Sequence, residues 1–234
     1  MTAGPPPSPS RRDPAQGGGR RSLIALLPSA SLSRPARALD AAPLTPDMPA
    51  GAALLDRIRR GGTVLFIRHA DTAGEPCDRG FIIGDRAGQR NISPAGRAQA
   101  AELGRRIAAL GIPMTRPVLA SPVFRGRDTA ELAFGAAEVA VTDGLMADDY
   151  AGPRLSWVLA EHRRLLSEPV SAGTNRVLVG HRGPVQLLLG EPVAGTRLPE
   201  AGILVAEPTY GLGFRELGIL ALVPPLNGGN PSCR

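Results

Sequence analysis

The stretch TVLFIRHADT, residues 63–72, runs from strand-forming residues straight into Arg68, His69 and Asp71. A buried strand is a poor setting for charge, so an Arg-His pair at its exit points to chemistry. Two other stretches share the feature. PVLAS, residues 117–121, ends in Ser121-Pro122, and Arg125 lies in the first turn of the next element. RVLVG, residues 176–180, ends in His181. The chain holds three histidines, and two of them occupy such exits. Arginine's planar fork grips phosphate oxygens two at a time. Histidine is a nucleophile when a ring nitrogen is unprotonated, and cationic neighbours depress its pKa so that the lone pair persists near neutral pH. Two arginines and two histidines at one place repel one another, so an anion is expected among them. The pattern reads as a phosphate trap with a nucleophile at its base.

Those residues meet only if the strands are parallel, because ligands bind beyond the carboxyl ends of strands in open α/β sheets. The remaining sequence supports that arrangement. TVLFI is apolar without alternation, as expected of a strand buried on both faces. SPAGRAQAAELGRRIAALG reads as a helix, with Ser93 at the N-cap, Pro94 at the first helical position and Gly111 at the stop. Leu103, Ile107 and Leu110 share one of its faces. RGRDTAELAF and LSWVLAEHRRLL read as further helices, as does the stretch around VQLLLG. VAVT, ILVAEP and GFRELGIL read as strands. This alternation predicts an α/β fold of three layers, with a mostly parallel central sheet and helices on both faces. The stretch from Asp71 to Asn91 lacks periodicity and is expected to be a functional loop.

Three divisions are expected along the chain: a leader and linker over 1–50, one domain over 51–225, and a loose tail over 226–234. Residues 1–38 carry six arginines against one aspartate, a net +5 of the chain's +6. The excess charge therefore lies in the leader. A nucleic-acid footprint needs a basic patch on the domain, preferably with stacking aromatics, and aromatics are only 3% of the chain. No nucleic-acid partner is expected. Arg20-Arg21, an apolar run from Leu23 to about Leu32, and Ala36-Arg37-Ala38 have the order of a secretory signal peptide at about 20–38. The run is too short to span a bilayer. A periplasmic or secreted protein is expected, with a plain disordered leader and a cytoplasmic protein as the alternative. Cys77 and Cys233 form no metal spacing and are expected to be two unrelated thiols, with a single long-range bridge as the alternative.

The stretches RHADT, ISPAGRAQAAELG, LASPVFRGRDTAE and VLVGHRGP, in that order, resemble the histidine phosphatase superfamily, also called phosphoglycerate mutase-like. The resemblance covers most of residues 60–220. Ala70 stands where the family usually has glycine, which removes no catalytic side chain. The resemblance implies a phosphomonoesterase acting on a small phosphorylated molecule through a phosphohistidine. His69 would be the nucleophile. Arg68 and Arg125 would hold the phosphoryl oxygens, and His181 would contact the same oxygens. No cofactor and no metal are implied. A phosphoglycerate-type mutase and a catalytically idle phospho-ligand-binding protein are the alternatives.

A carboxylic acid must protonate the leaving group. The resemblance points to TDGLMADDYAG, with Asp148 favoured over Asp149, while Asp71, Glu75 and Asp78 stay open. Arg79 is the expected contact for a second anionic group of the substrate, with Arg86 beside it. His162, in mid-helix next to Arg163 and Arg164, is expected to be structural, and Arg127 a surface charge. A metal phosphohydrolase built on a His-Asp motif is excluded by the shortage of further histidines.

Overall fold

A computed structural model describes residues 1–4, 42–73, 77–190, 197–209, 211 and 213–226. The expected signal peptide and tail fall outside the described residues, apart from Leu226. The chain divides into Met1–Arg37 and Ala38–Arg234. Every described helix and strand belongs to the second unit.

Six strands form one sheet in the order β3-β2-β4-β1-β5-β6. They are β1 (Thr63–Arg68), β2 (Val118–Ala120), β3 (Val139–Val141), β4 (Asn175–Gly180), β5 (Ile203–Thr209) and β6 (Gly213–Leu220). The first four run parallel, while β5 and β6 run antiparallel to their neighbours. The helices are α1 (Pro49–Arg59), α2 (Pro94–Ala109), α3 (Phe124–Phe134), α4 (Asp148–Ala151), α5 (Leu155–Ser167) and α6 (Arg182–Leu189). The α/β fold with a mostly parallel sheet is as the sequence predicts.

Every residue of β1 is buried, and the pleat sends its side chains alternately to two cores. Leu65 and Ile67 join Leu54, Ile58, Leu103 and Ile107 from α1 and α2. Val64 and Phe66 join Leu165, Leu166 and Val185 from α5 and α6. Helices therefore cover both faces, which is why the strand shows no alternation. Ser93 caps α2, its hydroxyl accepting from the Gly96 N–H at 2.8 Å. The stretch 42–50, read as part of a linker, does more than connect. Leu44 bridges to Leu220 on β6, and α1 begins at Pro49.

Asn175, at the start of β4, ties this end of the sheet together. Its amide accepts from the Thr63 hydroxyl at 2.5 Å and donates to the carbonyls of Ile58 at 2.9 Å and Pro113 at 2.7 Å. At the opposite end, β1 and β4 finish level, Arg68 opposite Gly180. Ala120 on β2 lies beside Val179. Three strands thus deliver their next residues, His69, His181 and Ser121, to one rim.

Candidate active site

His69 and His181 stand side by side, ring centroids 5.4 Å apart. Both are buried. The Nδ1 of His69 lies 2.8 Å from the Ala70 carbonyl, which can only accept. That bond keeps the proton on Nδ1 and leaves the lone pair on Nε2. Burial holds the His69 imidazole well below its ordinary pKa, and the charges of Arg68 and Arg125, then His181, push the same way. The group is therefore neutral at physiological pH, with Nε2 nucleophilic.

His181 is held by Ser121. Its Nε2 lies 2.7 Å from the Ser121 hydroxyl, which also accepts from the Val123 N–H at 3.1 Å. The hydroxyl satisfies both groups if it donates to Nε2, which puts the histidine's proton on Nδ1. Nδ1 has no hydrogen-bond partner among the described residues, so it is a donor left for a ligand oxygen. Burial, and then Arg125, lowers the His181 pKa well below its ordinary value. Gly126 on α3 permits this packing. A Cβ there would lie 2.9 Å from Ser121 Cβ and 3.3 Å from His181 Nε2.

Each arginine brought by a strand exit already has a carboxylate. Arg68 donates to the Leu198 carbonyl at 2.9 Å and faces Glu200 at 3.5 Å. Burial lowers its pKa to about 10 despite Glu200, so it remains charged. Arg125 donates through Nη1 to both oxygens of Asp78, at 3.0 and 2.9 Å. The anion expected among the cationic groups is thus partly supplied by the protein itself. The turn carrying Glu200 is bound to the β1 exit. The Arg68 N–H donates to the Gly202 carbonyl, and the Ala201 N–H donates to that of His69. Ala201 takes a left-handed conformation, φ 59°, a strained choice for a residue with a Cβ and one that clusters at functional sites.

Asp148 and Asp149 open α4 beside this cluster. An Asp149 oxygen lies 3.8 Å from Arg125 Nη2. Its pKa is raised, first by burial and then, against the pull of Arg125, by Asp148 and Asp78. Asp148 packs into α6 instead. A Cβ on Gly183 would lie 2.0 Å from an Asp148 oxygen, so the carboxylate sits where a side chain at 183 would begin. Of the other acidic candidates, Asp71 bonds the Ser93 hydroxyl at the head of α2, Asp78 holds Arg125, and Glu75 lies outside the described residues.

The expected contact Arg79 is not brought into the cluster. It is exposed and donates to the Ala87 carbonyl of its own loop, at 3.1 Å. Arg86 grips Asp128 at 2.6 and 2.9 Å and lies over the Phe124 ring, pinning the loop to α3. The arginine of this loop that reaches the site is Arg90. Its backbone N–H donates to Asp78 at 2.5 Å. Burial and then the charge of Arg125 lower its pKa, and its own charge is felt by Arg68 and His181. Nothing in the sequence separates Arg90 from Arg79 or Arg86. His162 is buried in α5, its Nδ1 2.9 Å from the Val158 carbonyl, as a structural histidine should be. Cys77 is disulfide-bonded, against the expectation of two unrelated thiols. Spacing along the chain carries no information about such a bond.

Among the described residues no helix is long and apolar enough to cross a membrane. No curated protein matches the chain. Several solved structures are similar. The SixA protein of Agrobacterium tumefaciens is 22% identical, over 68% of this chain and 98% of that one, with a TM-score of 0.43. A phosphoserine phosphatase mutant from Entamoeba histolytica is 17% identical, over 67% and 95%, with a TM-score of 0.44. The mycobacterial glucosyl-3-phosphoglycerate phosphatase Rv2419c is 19% identical, over 66% and 96%, with a TM-score of 0.42. The family model of the histidine phosphatase superfamily (branch 1) matches residues 64–153, the segment that contains Arg68, His69 and Arg125. Over that segment the chain is similar to the histidine phosphatase superfamily.

Proposed function

We propose that the protein is a phosphomonoesterase working through a phosphohistidine at His69. The observation that carries this reading is the pairing of His69, with its Nε2 lone pair free by tautomer, with His181 at 5.4 Å. A phosphoryl group bound between them meets a nucleophile and the His181 Nδ1 donor at once. Nε2 attacks phosphorus, the N–P bond forms and the P–O ester bond breaks. Arg68 and Arg125 stabilise the negative charge that spreads over the equatorial oxygens, the kind of preorganised electrostatics that dominates such reactions. The leaving alkoxide takes a proton from the Asp148-Asp149 pair. Asp149 suits that role better than Asp148, because it stands at Arg125 while the Asp148 carboxylate lies against Gly183 of α6. Water then attacks the phosphohistidine, gives its proton to the same carboxylate and releases phosphate.

The test is release of phosphate from a chromogenic phosphoester by the wild type and His69→Ala, with trapping of an acid-labile phosphoprotein. Loss of both signals in the variant is expected. Equal turnover by His69→Ala would refute the nucleophile. Isomerisation of a phosphoglycerate faster than phosphate release would replace the hydrolase with a mutase, and binding of phosphate without turnover would leave an idle binding protein.

We further infer that the protein acts outside the cytoplasm. The order of Arg20-Arg21, the apolar run and Ala36-Arg37-Ala38 supports this, as does the disulfide at Cys77, a bond that persists in oxidising compartments. Exported protein whose N-terminus lies near Leu39 is the expected result. A cytosolic form retaining Met1 would overturn it.

A further inference from the structure

Aromatic residues are scarce here, one Trp, two Tyr and five Phe. Two of them follow one another from the buried Arg125 to the exposed Phe81. The Tyr150 ring centroid is 5.8 Å from the Arg125 guanidinium carbon. Tyr150 donates its hydroxyl to the Gly80 carbonyl at 3.3 Å, which anchors the loop that follows Asp78. The next residue of that loop, Phe81, meets the Tyr150 ring edge-on, with centroids 5.3 Å apart and planes at 73°. Phe81 is 51% exposed, and Ile82 and Ile83 beside it are 67% and 42% exposed. Three consecutive large apolar side chains left open to water normally mark a contact surface.

The position of this surface says what it contacts. A proton donor must lie within hydrogen-bond reach of the leaving oxygen, and Asp149 is the residue before Tyr150. The alcohol part of a substrate therefore leaves the phosphoryl pocket on the side where α4 stands, and meets Tyr150 and Phe81 there. Arginine and carboxylate side chains hold the phosphate end, while the next layer outward is two aromatic rings. A polyol finds few hydrogen-bond partners in that layer.

Building on the phosphatase reading, we propose that Tyr150 and Phe81, in successive contact beyond Arg125, select phosphomonoesters whose alcohol carries an apolar, ring-sized group next to phosphorus. Small polar sugar phosphates are disfavoured. Phe81 supplies the exposed edge on which that group packs, and Tyr150 fixes the place of Phe81.

The test measures binding, so that it does not depend on turnover. Titration of the full-length protein with benzylphosphonate and with propylphosphonate, neither of which can be hydrolysed, gives an affinity ratio. The wild type is expected to prefer benzylphosphonate by about tenfold, the scale of one good aromatic contact. Phe81→Ala should bring the ratio close to one, and Phe81→Trp should keep it. Any loss of folded protein affects both ligands equally and leaves the ratio unchanged. A wild-type ratio near one, or a ratio the same in Phe81→Ala as in the wild type, overturns the proposal. A preserved ratio with no hydrolysis of benzyl phosphate would leave this selectivity standing and refute the phosphatase reading alone. Hydrolysis without preference would do the reverse.

Discussion

Asp78 grips Arg125 with both carboxylate oxygens in a nearly sealed setting, with the two residues 9% and 4% exposed. The same carboxylate accepts the Arg90 backbone N–H. One side chain therefore fixes the guanidinium and anchors the loop that lies over it.

Asp78→Asn leaves Arg125 buried without its nearer counter-charge, the other carboxylate, Asp149, standing 3.8 Å away. Breaking a buried ion pair in this way costs about 3–5 kcal/mol. The variant should unfold at lower urea than the wild type by a corresponding amount. Inorganic phosphate should recover more stability in the variant than in the wild type, because the dianion takes the missing place. Equal unfolding curves would show that Arg125 does not need Asp78.

The pH–rate profile should centre on the acidic side. His69 must be unprotonated, and its pKa is pushed well down by burial. Asp149 must be protonated, and its pKa is raised by burial. Both shifts favour turnover of alkyl phosphates below the ordinary histidine value of 6.5. Asp149→Asn should slow alkyl phosphates far more than aryl phosphates, whose leaving groups need no proton. A profile peaking above pH 7, or equal loss on both ester classes, would remove Asp149 from the role.

His162 makes stability itself pH-dependent. Burial lowers its pKa to about 4 from the ordinary 6.5. Its Nε2 has no hydrogen-bond partner among the described residues, and its ring lies 6.1 Å from that of Phe66. The unfolded chain gains the proton near 6.5, the folded chain only near 4. The stabilising difference is whole above pH 6.5 and is lost as the pH falls towards 4, about 3 kcal/mol for this group. Denaturation of His162→Leu measured across that window should show a shallower loss than the wild type. His69 and His181 contribute alike in both proteins, so an unchanged slope would exonerate His162.

Gly126→Ala should harm turnover through His181. The added Cβ is too close to Ser121 and must displace it, and displacement loosens the 2.7 Å bond that sets the His181 tautomer. A fall in kcat of about 10- to 100-fold is expected for a misplaced catalytic group, and Ser121→Ala should lower kcat in the same direction. Steady-state kinetics would decide. Full kcat in Gly126→Ala would show that Ser121 does not position the histidine.

The parts of this site legible in the sequence are those that the strands deliver. Arg68, His69 and His181 follow apolar runs, and a run's exit is visible in one dimension. Arg125 was legible from its place after Ser121-Pro122. The carboxylates that hold the arginines were not. Asp78 lies 47 residues from Arg125 and Glu200 lies 132 from Arg68, with no periodicity to link them. The loop from Asp71 to Asn91 hides its roles for the same reason. Arg79, Arg86 and Arg90 look alike in the sequence, yet one faces water, one clasps α3 and one turns inward, according to which carboxylate or carbonyl the folded loop presents. Ser121 was visible as a strand end, but its bond to His181 depends on β2 and β4 lying side by side.

The level finish of β1 and β4 has a further effect. Arg68 and Gly180 face each other across the ladder, and a histidine follows each. The backbone spacing of the two histidines is therefore a rung of the sheet, kept by main-chain bonds, while Ser121 aims the His181 ring upon it. Crossovers can lengthen, shrink or change their residues without moving it. Loops around such a pair can be rewritten while the spacing of the two histidines stays where the backbone put it.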